Sequence, residues 1–219
     1  MGLGKGLILG TISLLLIISI SLSITLYSSN ALLHPEIYKS SLEKNNVYKQ
    51  MGSEFENESR KAIDSSLENF LSYLNGNSNS VGDSEFAQIS GMDSDDLEKL
   101  KGYVILFKRI FYASIILSFV LIILIFILSK NFFSSSKILG MDLFLVGISM
   151  IFSVAAGKPI LNNALSKTAQ GGTEILKPLV SDIFSEIFGK INFYGYILVG
   201  IGAIIFALFW ILQKRRNEQ

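Results

Sequence analysis

Four long apolar runs, at residues 7–27, 110–128, 138–156 and 193–212, constrain this chain more than anything else in it. Each holds about 20 residues, enough for an α-helix rising about 1.5 Å per residue to cross a hydrocarbon layer of about 30 Å. Lipid offers no hydrogen bonds, so a chain crossing it must satisfy its own backbone groups, which a helix does. Half of the 219 residues are hydrophobic. A soluble domain could hold as many, but would spread them along helical stripes or strand alternations rather than in continuous runs. The expected fold is an all-α membrane protein: a four-transmembrane-helix bundle with a helical extracytoplasmic cap built from two outer loops.

Charge supplies the orientation. Lys5, Lys130, Lys137, Lys214, Arg215 and Arg216 flank the runs at one set of ends, accompanied only by Glu218 and Asp142. The positive-inside rule then places both termini and the loop at 129–137 in the cytoplasm, with the tail at 213–219 basic. The segments 28–109 and 157–192 face outward, in the cell membrane of a multi-pass protein. Lys108 and Arg109 lie at the outer end of the second span and are expected to snorkel to the interface. The first run exceeds the usual signal-peptide core, so it reads as an uncleaved span, although Ser29-Asn30-Ala31 has a small-x-small pattern. A net charge of +1 shows no nucleic-acid footprint.

The chain has no cysteine. That excludes disulfide staples, thiol nucleophiles and thiolate metal sites. Together with Ile-, Ser-, Asn- and Lys-rich usage, it leans towards a prokaryotic source.

The outer segments read as helices. Pro35 with Glu36 opens one over 35–51. Ser53 and Glu56 form a capping box for a second, over 54–74, with Phe55, Ala62, Ile63, Leu67, Phe70, Leu71 and Leu74 as its apolar stripe. Asn75-Gly76-Asn77 ends it. A third begins at Asp93 or Ser94, with Asp95 and Asp96 in its first turn, and runs towards the second span past Gly102. In the second outer segment, Gly157-Lys158-Pro159 starts a loop. Ile175, Leu176, Leu179, Val180, Ile183, Phe184, Ile187 and Phe188 then give an amphipathic helix over 173–188. Its polar face is not lysine-rich, so it is expected to pack on protein, and Ile175, Leu179, Ile183, Phe184 and Phe188 form a candidate interaction surface.

No catalytic, cofactor-binding or metal motif emerges, and no cofactor is expected. Asp93-Ser94-Asp95-Asp96 fails as a calcium loop, because Glu98 and Val104 occupy the glycine and glutamate positions. His34, the sole histidine, has no partners for a zinc site or triad. Glu36, Asp93 and Asp96 make no convincing carboxylate pair. Asp142, a few residues into the third span, is the candidate functional charge. It reads as a shallow interfacial residue, reached by water or paired with Lys137 or Lys130, or as a proton or ion site. Ser19 and Ser23 share one face of the first span. They serve either close helix packing or bonds to their own i−4 carbonyls. Gly195, Gly200 and Gly202, with Gly147 and Ser114, fit close packing within the bundle or between copies.

The layout of one span, a large outer loop, two spans, a smaller outer loop and a final span resembles the claudin and tetraspanin plan and that of large-pore four-span channels. The resemblance is of topology, since their cysteines and the Trp-Gly-Leu-Trp type of signature are absent. Asn69-Phe70-Leu71-Ser72-Tyr73-Leu74-Asn75-Gly76-Asn77, followed by Asp95-Asp96-Leu97-Glu98-Lys99-Leu100 and a span, is similar to an uncharacterised prokaryotic four-span membrane family. That likeness covers about a fifth of the chain and implies no activity. The functional expectation is a non-enzymatic membrane protein whose outer cap mediates protein–protein interaction as an adhesion, scaffold or accessory subunit. Its partners would be the lipid bilayer and a protein or a second copy of itself. The alternative is an oligomeric channel or transporter.

Overall fold

The structure, a computed structural model, describes residues 3–50, 56–78, 93–129, 131–168 and 176–217. Among these the regular elements are all helical. In chain order they are α1 (Leu3–Ser29), a 3-10 turn (Asn30–Leu33), α2 (Pro35–Lys44), α3 (Val47–Gln50), α4 (Glu56–Leu74), α5 (Ser94–Ser129), α6 (Phe132–Thr168) and α7 (Leu176–Asn217). Four of them, α1, α5, α6 and α7, are long and apolar enough to cross a membrane. Large side chains such as Ile18, Phe119, Ile123, Phe152 and Ile204 are exposed along them. Water would not tolerate so much uncovered apolar surface. The protein is a multi-pass membrane protein.

The helices outrun the apolar runs that announced them. Helix α5 passes through Gly102 without a break. The expected loop at Gly157-Lys158-Pro159 is instead the continuation of α6, which carries Pro159 inside it. Proline removes one backbone hydrogen bond but leaves the rest of the ladder intact. The amphipathic segment and the fourth run form the single helix α7. Most of the cytoplasmic loop expected at 129–137 is helical, because α6 begins at Phe132, where the Asn131 side chain accepts from the Phe133 amide at 3.0 Å. The helix expected over 35–51 is broken in two. Asn46 takes a left-handed φ of 53°, and the Asn45 amide closes the preceding turn on the Ser41 carbonyl at 3.1 Å. Asparagine tolerates that conformation at a helix end. Ser53, and with it the proposed capping box, lies outside the described residues.

The chain divides into two compact units. The first comprises residues 1–28, 110–158 and 188–219 and holds the four apolar runs. Its tightest seam joins α6 to α7. Gly140 and Gly147 on one helix, and Gly195 and Gly202 on the other, stand seven residues apart. A Cβ on Gly147 would lie 2.5 Å from the Gly195 carbonyl oxygen, and one on Gly140 would lie 2.6 Å from the Phe206 nitrogen. A Cβ on Gly202 would collide with the Phe144 backbone. Backbones approach this closely only where side chains are missing. Elsewhere in the unit Leu16 of α1 and Leu121 and Ile125 of α5 form a buried cluster, flanked by Ile138 and Leu139 of α6.

The second unit comprises residues 29–109 and 159–187, so the two loop segments join in one helical body. Leu67, Phe70, Leu71 and Leu74 of α4 pack with Leu97 of α5, and Tyr38, Leu100 and Val104 adjoin them. Ala62, read as part of the same stripe, is exposed. Gly76 ends α4 with φ 80°, the Asn77 amide reaching the Ser72 carbonyl and the Gly76 amide the Tyr73 carbonyl, each at 3.0 Å. That pair of bonds satisfies the last carbonyls of the helix.

Gly147→Val should force α6 and α7 apart. The expected loss is about 1–3 kcal/mol of stability, as for overpacked cores. Thermal unfolding in detergent, followed by Trp210 fluorescence, measures it. Gly200→Val, where an added Cβ meets nothing within 4 Å, should leave the midpoint nearly unchanged.

Candidate functional site

The only histidine sits in the joint that follows the first span. Residue 34 precedes a proline, which disfavours helical backbone. His34 accordingly adopts φ −104°, ψ 121° between the 3-10 turn and α2. Its amide donates to the Ala31 carbonyl at 3.0 Å, which anchors the backbone. Its ring is on an exposed residue, with Nε2 3.5 Å from the Asn30 amide nitrogen.

The same turn is clamped from two other elements. The Tyr38 hydroxyl donates to the Leu32 carbonyl at 2.8 Å, and the Asn75 side-chain amide donates to the Leu33 carbonyl at 3.2 Å. Asn75 also receives Lys108, whose ammonium donates to its backbone and side-chain oxygens at 3.1 and 3.0 Å. An imidazole and an ammonium are thus tied to one short stretch of backbone, the ammonium through Asn75. An ammonium has three protons to donate, and Asn75 takes two of them. Lys108 was expected only to snorkel; the structure gives it a defined seat. The end of α4 was legible in Asn75-Gly76, but nothing in the spacing marked Asn75 as the link.

Other polar groups of this unit hold its parts together. Lys44 donates to Asp182 Oδ1 at 2.6 Å, and Asn45 to Oδ2 at 2.9 Å. The bond from Lys44 keeps the Asp182 carboxyl below the usual aspartate range, with Asn45 assisting and partial burial opposing. A groove of about 270 Å³ lies beside this pair, lined by Ile37, Ser40, Ser41, Ile183, Ser185 and Glu186. Tyr48 is buried, donates to Asp64 Oδ1 at 2.7 Å and lies 5.2 Å beneath the Arg60 guanidinium. Burial, then the bond to Asp64, raises its phenol above the usual value. Arg60 is in turn paired with Glu43. This network orders α2, α3 and α4 and was not foreseen.

In the first unit, the Ser19 hydroxyl donates to the Ser114 carbonyl at 2.8 Å, Ser118 donates to Ser19 at 3.0 Å, and Ser23 and Ser114 share a bond at 2.7 Å. Ser23 also bonds its own i−4 carbonyl at 2.9 Å. Both readings of these hydroxyls hold at once. Asp142 is 4 % exposed, and its Oδ2 has no hydrogen-bond partner among the described residues. The expected pairing with Lys137 does not form: that amine donates to Gln213 Oε1 at 3.3 Å. Lys130 lies outside the described residues.

Of the candidate interaction surface, Ile175 lies outside the described residues. Ile183 is buried, Leu179 and Phe184 are half-buried, and Phe188 packs on Gly157. The Leu179 carbonyl accepts from Ser41 at 3.4 Å. Much of this stripe therefore serves the protein's own packing. No group of three or more metal-ligating side chains occurs among the described residues.

No family model matches the chain, and no curated protein matches it. A solved structure does. It is the membrane integral lipoprotein intramolecular transacylase Lit from Bacillus cereus, superposing with a TM-score of 0.52 at 14% identity over 98% of this chain and 100% of that one. The likeness establishes a shared membrane-integral fold. It also overturns the expectation that the chain is not an enzyme, because this fold is one on which an acyl-transfer enzyme is built.

Asp182→Asn should lower stability at neutral pH by about 0.2–1 kcal/mol, the range for a largely exposed ion pair. A carboxyl depressed by folding stabilises above its unfolded value and loses that effect as pH falls through the folded one. The difference between wild type and variant should therefore be full at pH 7, begin to shrink as pH falls below about 3.9, and vanish only below the lower, folded value. Parallel melts across that range check it.

Proposed function

We infer that this protein is a membrane-embedded acyl-transfer enzyme acting on lipid-modified polypeptide, with the His34 joint as its reaction centre. The observation that carries the reading is the whole-length likeness in fold to a lipoprotein intramolecular transacylase. Moving an acyl group within one molecule requires no cofactor and no second substrate. The attacking group loses a proton, its bond to the acyl carbon forms, the old ester bond breaks, and the departing oxygen regains the proton. Imidazole can perform both proton transfers near neutral pH, and the chain has one histidine to supply it. Lys108, held by Asn75, supplies a cation for the oxygen that gains charge when the carbonyl is attacked.

The proposed orientation agrees with this role. With both termini cytoplasmic, residues 29–109 and 159–187 face outward, and the His34 joint follows directly after the first span, where ester groups of lipids lie. The protein partner expected from the sequence becomes the polypeptide part of the substrate. Tyr38 and Asn75 act as positioning residues by fixing the carbonyls of the 3-10 turn.

The test is reconstitution with a diacylated lipoprotein, followed by mass spectrometry of the acyl positions. Wild type should relocate one acyl chain. His34→Gln should slow the reaction about 10²–10⁴-fold, the usual worth of general acid–base catalysis. Lys108→Met should leave binding near normal and lower turnover. Full activity in His34→Gln would remove the assignment of this centre, and absence of acyl migration in wild type would remove the activity.

A further inference from the structure

We propose that the end of the bundle where α6 begins and α7 finishes carries a binding site for an acidic glycerophospholipid, its phosphate held between Lys137 and Arg216. The two helices run antiparallel there, and successive rungs join them. Lys137 donates to Gln213 across the seam at 3.3 Å. One turn further out, the Arg216 guanidinium lies 5.7 Å over the Phe133 ring. Residues 133 and 137 are four apart on one helix, and 213 and 216 three apart on the other, so both cations lie on one side of one seam.

Three features fit this place to a lipid phosphate. First, no carboxylate neutralises the cations. Lys5, Lys137, Arg215 and Arg216 make no ion pair among the described residues, and the only acidic side chain described in this unit is Asp142, buried deeper on α6. Second, the guanidinium is held in place. Phe133 meets Phe132 and Phe209 edge-to-face at centroid distances of 6.2 and 6.1 Å, which fixes the ring beneath Arg216. A guanidinium lying on an aromatic face keeps its N–H edge available for two parallel bonds to phosphate oxygens. Third, the flanks suit acyl chains rather than water. Phe132 is 61% exposed and Trp210 59%, and Leu208 and Ile211 beside it are also exposed. A free phosphate gains nothing from these surfaces, whereas a phospholipid covers them. The site is separate from the His34 joint and stands whether or not that centre transfers acyl groups.

Native mass spectrometry of the full-length protein, released from micelles holding equal phosphatidylglycerol and phosphatidylcholine, tests the site. Wild type should retain one phosphatidylglycerol in preference to phosphatidylcholine. Lys137→Gln combined with Arg216→Gln should reduce that retention roughly tenfold or more, as expected for two interfacial cations. Arg216→Gln alone should give several-fold loss and serves if the double variant melts early. Lys5→Gln combined with Arg215→Gln removes the same charge and should retain the lipid. Equal loss in that control, absence of discrimination in wild type, or displacement of the lipid by millimolar inorganic phosphate would each overturn the proposal.

Discussion

Backbone hydrogen bonding in a medium without water is the constraint on which the rest of this structure depends. Each apolar run must close its own ladder, so each becomes a helix, and nothing in the hydrocarbon selects how those helices meet. Burial of apolar surface cannot, because lipid is as apolar as leucine. What remains is fit and polarity. The chain uses both: glycines where α6 meets α7, and serine hydroxyls where α1 meets α5. The Leu16–Leu121–Ile125 cluster fills the space beside those hydroxyls.

The second unit obeys different rules: α4 shows an ordinary amphipathic stripe, and its neighbours complete a small core. With no cysteine available, the joining of its two chain segments falls to side chains: Lys44 and Asn45 on Asp182, and Ser41 on the Leu179 carbonyl. Exposed links of this kind are individually weak. Their worth lies in fixing which face of α7 meets α2.

The spans could be read from residue order because about twenty successive residues, nearly all apolar, have few alternative explanations. Helix ends could not, because a helix need not stop where the bilayer does. Pro159 looked like a terminus and is an interior residue of α6. Asn46 looked like an interior residue and is a break. Lys137 was one candidate partner for Asp142 by proximity along the chain, whereas its amine turns to Gln213, 76 positions away. His34 was visible as the lone imidazole, but the bond from Asn75 to the Leu33 carbonyl and that from Lys108 to Asn75 join distant segments, and only folding assembles them. Function was the least legible of all. The non-enzymatic reading rested on missing motifs, whereas the fold is shared, at 14% identity, with a transacylase that no motif in this chain announces.

The matched glycine spacing has a mechanical consequence. Seven residues are close to two full turns, so the paired notches on α6 and α7 engage together or not at all. Sliding one helix by a single residue turns it by about 100° and replaces both notches with side chains. Intermediate registers are therefore closed, and the pair behaves as a latched spar. Among the described residues no such glycine notch constrains α1 or α5, whose meeting rests on serine hydroxyls instead.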